Sequence, residues 1–263
     1  MMSIVSTYTT QKMVGQLENF GLRHVSKKLF DLLEQAEREQ LSHRQFLTQF
    51  LETEITGRNE KRKRRNYAGA HFPNVVKPLE MFDPHELRSG ITQSQIDQMR
   101  ELDWIDHRMN VLFLGTPGTG KTMLAIGYGL LAVDRGYTVC FERMVNLVQI
   151  LDEAPENRMQ NFRLKNIMKA SLVIIDEIGY TTITREQANK FFVLISELYE
   201  QSSVIFTTNK DVTEWAELFG DPVLTQALLD RILHHARGFS LDGDSYRLKH
   251  PELFVGIEGD GSL

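Results

Sequence analysis

One cysteine, Cys140, stands in 263 residues, so no internal disulfide can form and no zinc knuckle or ribbon of paired thiolates can be built. No apolar run approaches the roughly 20 residues that a membrane span requires. The opening MMSIVSTYTTQKM lacks a basic stretch followed by an apolar run, so it does not read as a secretory leader. Internal repeats and low-complexity tracts are missing as well. These gaps exclude disulfide scaffolds, membrane spans and repeat arrays, and a soluble chain in a reducing, cytoplasmic compartment is expected. Hydrophobic residues at 41% and charged residues at 25% are enough to build an ordinary core, which excludes wholesale disorder.

An excess of positive charge is also missing, at least on average. The net charge is −5, which by itself points away from nucleic acid. Along the chain the charge divides. Residues 1–70 hold 12 Lys and Arg against 8 Asp and Glu, whereas the rest hold 18 against 27. Much of the basic excess is one run, Lys61, Arg62, Lys63, Arg64 and Arg65. Such an asymmetry marks a domain boundary, and two domains are expected: 1–70, helical with a basic linker, and 71–263.

The first part reads as helix. Leu22, Val25, Leu29, Leu32, Leu33 and Ala36 recur at helical spacing, with Lys27, Lys28, Glu34 and Glu37 on the other face. Ser42 and Gln45 have the form of a capping box. That box would start a third helix with an apolar stripe of Phe46, Leu47, Phe50, Leu51 and Ile55, which has to pack on something. Residues 67–83, with Pro73 and Pro78, read as a connecting loop. From Val111 the pattern changes to short apolar runs, at Val111–Leu114, Thr138–Phe141, Leu172–Ile175 and Val204–Thr207, with helical stretches between them. Buried strands alternating with helices predict an α/β fold with a parallel sheet covered on both faces.

The first strand runs into Gly115-Thr116-Pro117-Gly118-Thr119-Gly120-Lys121-Thr122, which matches G-x-x-x-x-G-K-[ST] at every fixed position. Glycines let successive backbone N–H groups wrap phosphates, and the helix that follows presents its positive dipole end. Lys121 would reach the β- and γ-phosphates of ATP, and the Thr122 hydroxyl would ligate Mg²⁺. The competing reading is a glycine-rich turn that binds nothing.

The strand Leu172–Ile175 ends in Asp176-Glu177, at the carboxyl edge of the sheet beside the phosphate loop. Asp176 would hold Mg²⁺, and Glu177 would polarise the attacking water. Both could instead merely cap the next helix. The strand Val204–Thr207 leads to Asn209, whose amide both donates and accepts and so suits the γ-phosphate or the water. A simple turn residue is the alternative there. In the segment Leu228–Leu233, Arg231 is the candidate to stabilise transition-state charge in a neighbouring subunit. Against it stands an ion pair with Asp230 or Glu217; Arg237 and Arg247 are weaker candidates. His234 and His235, being adjacent, should point to different helix faces, so no metal site is read there. After Arg231 only 32 residues remain, too few for a separate helical lid, so a site completed by another subunit is expected.

With these motifs in this order, the chain resembles an AAA+ ATPase. More closely, it resembles the IstB-like transposition-helper ATPases of bacterial insertion sequences, relatives of the DnaC-type helicase loaders. Gly115–Thr122, Val173–Tyr180, Val204–Asn209 and Leu228–His235 carry the resemblance. So do the basic run and Ala70-His71-Phe72-Pro73 upstream of the core. The resemblance implies a five-stranded AAA+ core with ATP and Mg²⁺ as cofactors. It further implies ATP-driven assembly of a homo-oligomer on duplex DNA and a partner transposase. A DnaC- or DnaI-like helicase loader is the alternative.

The family also places an extra helix facing DNA after the second strand. Residues 143–169 fill that place here, with Arg143, Arg158, Arg163, Lys165 and Lys169 as expected phosphate contacts beside the Lys61–Arg65 run. Val145, Leu147, Val148 and Leu151 give the same stretch the look of an ordinary cover helix. No basic patch interleaved with aromatics stands out, so binding to a duplex backbone, not single-strand stacking, is expected.

Overall fold

The computed structural model describes residues 4–74, 76–180 and 182–249, without the side chains of residues 4–8 and Arg247. The chain divides into two compact units, Met1–Arg65 and Asn66–Leu263.

The first unit is built from helices α1 (Ile4–Asn19), α2 (Arg23–Glu39) and the first part of α3 (His43–Ala70). Val25, Leu29 and Leu32 turn inward, following the expected stripe of α2. Ser42 and Gln45 form the expected capping box, with the Gln45 Oε1 accepting from the Ser42 N–H at 2.9 Å and the Ser42 Oγ accepting in return at 3.4 Å. The apolar stripe of α3 departs from expectation, because Leu47, Leu51 and Ile55 are exposed. The buried side of α3 is instead centred on Glu54, whose Oε2 accepts the N–H groups of His24 and Val25 at 2.9 Å each. Those are unsatisfied donors of the first turn of α2, so a carboxylate from another helix does the work of a cap. Helix α3 also continues through residues 67–70, which the sequence reads as loop.

The second unit contains helices α4 (Gln93–Met99) and α5 (Asp103–Asp106), then strand β1 (Asn110–Gly115) and helix α6 (Lys121–Arg135). Strand β2 (Val139–Arg143) leads to α7 (Met144–Glu153) and α8 (Arg158–Met168). Strand β3 (Leu172–Ile178), α9 (Arg185–Leu198), β4 (Ser203–Thr208), α10 (Trp215–Phe219) and α11 (Pro222–Leu233) follow. The last elements among the described residues are β5 (Ala236–Leu241) and the single turn α12 (Tyr246–Lys249).

The sheet has the order β2-β3-β4-β1-β5, and every neighbouring pair is parallel. This is the expected five-stranded parallel core. Side chains alternate across it. Val111, Phe113, Ile174 and Ile205 pack with α6 in one apolar layer, while Leu112, Val173, Ile175 and Phe206 pack with α7, α9 and α11 in the other. Both faces are thus dry, which is why these strands read as near-continuous apolar runs. Strand β5 was not among the four legible runs. Only Phe239 and Leu241 of it are buried, and an edge strand with two apolar residues gives little signal.

The order of the strands sets the site. Strand β1 lies beside β4, and β4 beside β3, so the phosphate loop, the Asp-Glu tip and the Asn209 tip share one carboxyl edge. Burial pushes the Cys140 thiol on β2 up to about 11, so the lone cysteine is an inert core residue. Among the described residues no helix is long and apolar enough to cross a membrane.

Candidate nucleotide site

The phosphate loop leaves β1 at Gly115 and enters α6 at Lys121. Gly115 has φ +145°, and a Cβ there would lie 2.0 Å from the Leu241 carbonyl oxygen of β5. Gly120, at the start of α6, has φ +92° and faces the Phe82 ring. Neither position admits a side chain without displacing a neighbour. Within the loop the Lys121 ammonium donates to the carbonyls of Gly115 and Thr116 at 2.7 and 2.8 Å. Thr119 Oγ1 donates to the Thr116 carbonyl at 2.9 Å, which tightens the turn.

Asp176 meets the loop directly. Its Oδ1 accepts from the Thr122 hydroxyl at 2.8 Å and from the Thr207 hydroxyl at 2.5 Å, while its buried Oδ2 has no partner. An unpaired carboxylate oxygen held beside a hydroxyl is costly unless a cation completes it. The donor set of one carboxylate and one hydroxyl, open to phosphate and water oxygens, fits Mg²⁺.

Glu177 lies at an irregularity in the sheet. The pairing of β3 with β4 shifts register between Ile175 and Ile178, and Glu177 adopts φ +63°. A side chain in the left-handed region costs roughly 1–2 kcal/mol. The bulge re-aims Glu177 off the sheet, and its backbone N–H is held by Thr207 Oγ1 at 3.0 Å. Thr207 therefore ties Asp176 to Glu177, a role that the sequence reading gave to no residue. Asn209 lies beside Gly179, and its buried Oδ1 has no partner, so it is free to meet a water or a phosphate group.

Arg231 is elsewhere. Asn110, the first residue of β1, donates from Nδ2 to the Ile232 carbonyl at 2.9 Å and from its backbone to His235 at 2.6 Å. The end of α11 therefore lies at the amino edge of the sheet, about 16 Å of strand from the phosphate loop at roughly 3.3 Å per residue. Arg231 donates to the Ala227 carbonyl at 3.1 Å and lies 4.6 Å from the Phe192 ring centroid. Among the described residues it has no carboxylate partner, so the pairs with Asp230 or Glu217 do not form. Arg237 lies on edge strand β5, and the side chain of Arg247 lies outside the described residues. The rings of His234 and His235 come together at 4.1 Å instead of pointing apart, because α11 ends at Leu233. No cluster of three or more His, Cys, Asp or Glu that could hold a metal occurs among the described residues.

The family described as IstB-like ATP binding protein matches residues 15–253. The chain belongs to this family. It is 40% identical over 234 residues to the ATP-binding protein of insertion sequence IS21 from Pseudomonas aeruginosa, covering 89% of this chain and 87% of that protein. It is 36% identical over 222 residues to the ATP-binding protein of insertion sequence IS5376 from Geobacillus stearothermophilus, covering 84% and 88%. Among solved structures, the DnaC helicase loader superposes with a TM-score of 0.51 at 19% identity, covering 63% of this chain and 96% of that one. That likeness is one of fold, and it agrees with an AAA+ core.

The expected DNA contacts of this IstB-like protein separate into groups. Lys61, Arg62, Lys63, Arg64 and Arg65 are exposed along α3, with Arg64 3.6 Å from Glu60 and Arg62 donating to Asn59 at 3.3 Å. Arg158, Lys165 and Lys169 are exposed on or just after α8. Arg163 is not available to phosphate. It is buried against Glu142 in a short ion pair and donates to the carbonyls of Phe141 and Gly69 at 3.1 and 3.2 Å. Burial pushes the Glu142 carboxyl up, with Arg163 working the other way. Arg143, at the end of β2, is drawn to the nucleotide site, its Nε 3.5 Å from Glu177 Oε2. Helix α7 is the cover helix, with Leu147, Val148 and Leu151 buried and Val145 exposed.

Proposed function

We propose that this chain is a Mg²⁺-dependent ATPase that assembles on duplex DNA and assists a partner transposase in selecting a target. One observation carries the ATPase reading: Thr122, Asp176, Thr207 and Glu177 form one connected set beside the phosphate loop, with a buried Asp176 oxygen left over for a cation. In this reading the loop amides and Lys121 hold the triphosphate. Thr122 and Asp176 would hold Mg²⁺, which would neutralise charge on the β- and γ-phosphates. Glu177 accepts the proton of the attacking water, and Asn209 orients that water.

Arg231 lies at the far edge of the sheet from its own phosphate loop and has no carboxylate partner among the described residues. Its charge therefore serves the ATP of a neighbouring subunit, and nucleotide bridges copies of the chain. The exposed cations of α3 and α8 supply sequence-independent contacts to phosphates. The family membership supports transposition, and two relatives are named for insertion sequences. The fold shared with the DnaC helicase loader supports the helicase-loader reading no further than the fold.

Sizing of the purified chain with ATP and a duplex tests the assembly. Wild-type protein is expected to form a large complex only with both present, and a chain that stays monomeric overturns the bridging. Mixing Arg231→Ala with Lys121→Ala subunits should restore part of the hydrolysis that each lacks alone. Glu177→Gln is expected to bind ATP and assemble yet lose about 10²–10⁴ in hydrolysis. Affinity capture with a transposase against a replicative helicase separates the two biological readings.

A further inference from the structure

Helix α8 presents an unusual face. Arg158, Phe162, Lys165 and Lys169 follow one another at i, i+4, i+7 and i+11, which places all four within about 60° around the axis at roughly 100° per residue. Met159 and Met168 flank this stripe, while Arg163 and Ile167 occupy the opposite, buried face. Phe162 is 66% exposed and Met159 78%. Arg158, Lys165 and Lys169 form no ion pair among the described residues. A large aromatic side chain is thus held in water between cations that have no ion-pair partner among the described residues.

The helix is fixed in that orientation. Asn157 caps its start, accepting the N–H groups of Met159 and Gln160 at 2.9 and 3.4 Å. The buried guanidinium of Arg163 anchors its inner face to Glu142 and to the Phe141 and Gly69 carbonyls. Phe162 therefore cannot be hidden by a small roll of the helix without breaking a buried ion pair.

We infer that Phe162, with Met159 beside it, is an apolar wedge that enters a base step of duplex DNA while Arg158, Lys165 and Lys169 hold the flanking phosphates. This rests on the duplex-binding reading above and deepens it. The cations lie on both sides of the ring along the helix, Arg158 about 6 Å before it and Lys165 about 4.5 Å after it at 1.5 Å per residue. A phenyl ring pressed toward a duplex by such a frame has no hydrogen bond to offer a phosphate. Its favourable place is between bases, where Phe and Met wedges unstack a step and kink the duplex by about 20–90°. A lone ring on a convex helix is no platform for successive unpaired bases, which argues against single-strand stacking. Such a wedge favours steps that open easily, pyrimidine followed by purine, so the chain would prefer deformable DNA without reading a fixed sequence.

The test uses the full chain with ATP and a duplex of about 30 base pairs. The duplex carries 2-aminopurine at a central TA step and a donor–acceptor pair at its ends. Wild-type protein should brighten the 2-aminopurine and bring the ends closer. Phe162→Ala should lose both signals while its affinity falls by less than about tenfold and its salt dependence stays unchanged. Phe162→Trp should keep both signals, which separates the wedge from a folding defect. Replacing Arg158, Lys165 and Lys169 together by Gln should lower the salt slope by up to about three contacts. If Phe162→Ala brightens and bends the duplex like wild type, the wedge is wrong and duplex binding stands. If wild-type protein fails to bind the duplex at low salt, the underlying reading falls with it. If Phe162→Ala leaves DNA behaviour intact but abolishes association with purified transposase, the face belongs to a protein partner and the wedge is overturned.

Discussion

Arg143, the last residue of β2, holds the carboxylate of Glu177 on β3, Nε to Oε2 at 3.5 Å. Both side chains are about half exposed, so the pair is weak and can be exchanged for other partners. Helix α7 begins at the next residue and α8 follows it, which puts the exposed cations of α8 one helix away from the proposed base.

The contact with Arg143 occupies a carboxylate oxygen that would otherwise meet the attacking water. Arg143→Ala is expected to raise hydrolysis in the absence of DNA, by up to about fivefold for an exposed pair of at most about 1 kcal/mol. Steady-state phosphate release measures this. A fall in rate would instead place Arg143 among the groups that assist the reaction.

Thr207 joins the two acidic residues, donating to Asp176 and accepting from the Glu177 backbone. Thr207→Val keeps the shape and removes the hydroxyl. It should cost about 1–3 kcal/mol of stability through the donor and acceptor left unpaired, and it should weaken the dependence of hydrolysis on Mg²⁺. Thr207→Ser should restore most of both. Urea unfolding and Mg²⁺ titration of the rate are the measurements, and an unchanged Mg²⁺ response would remove Thr207 from the site.

Arg163 belongs to the fold and not to the DNA surface. Arg163→Ala strands Glu142 in the core and should destabilise the chain by about 3–5 kcal/mol. The double change Glu142→Leu with Arg163→Met should recover much of that loss. Denaturant unfolding compares the variants. Unaltered stability together with a reduced salt slope of DNA binding would restore Arg163 as a phosphate contact.

Glu54 gives the N-terminal unit a pH dependence. Burial works against its charge, yet the Arg58 guanidinium and the N–H groups of Val25 and His24 together hold the carboxyl below its ordinary value of 4.5. A group lowered on folding stabilises the folded form above its unfolded value and loses that contribution as pH falls through the folded one. The start of α2 should therefore loosen below about pH 4.5. Hydrogen exchange at the His24 and Val25 amides reads this directly, and Glu54→Gln should flatten the dependence.

Much of the nucleotide site is legible in the sequence because its signals are local. The phosphate loop is eight contiguous residues, and the Asp-Glu and Asn tips follow short apolar runs whose burial on both faces makes them conspicuous. The chain alone also determined the capping box of α3 and the first four strands, since each depends on spacing within a few residues.

Tertiary structure decided the rest, because it depends on which distant residues share a space. Arg163 reads as a surface cation until Glu142, a residue on β2, is placed against it in the core. Arg143 reads as a DNA contact until the sheet order puts β2 beside β3 and its side chain meets Glu177. Strand β5 exists through its pairing with β1, not through its own two buried residues. Glu54 reads as one more wet charge on a helix until the first turn of α2 is placed against it. The spacing that aligns Phe162 with three cations was present in the sequence. Only the buried anchor of Arg163 fixes that face toward solvent.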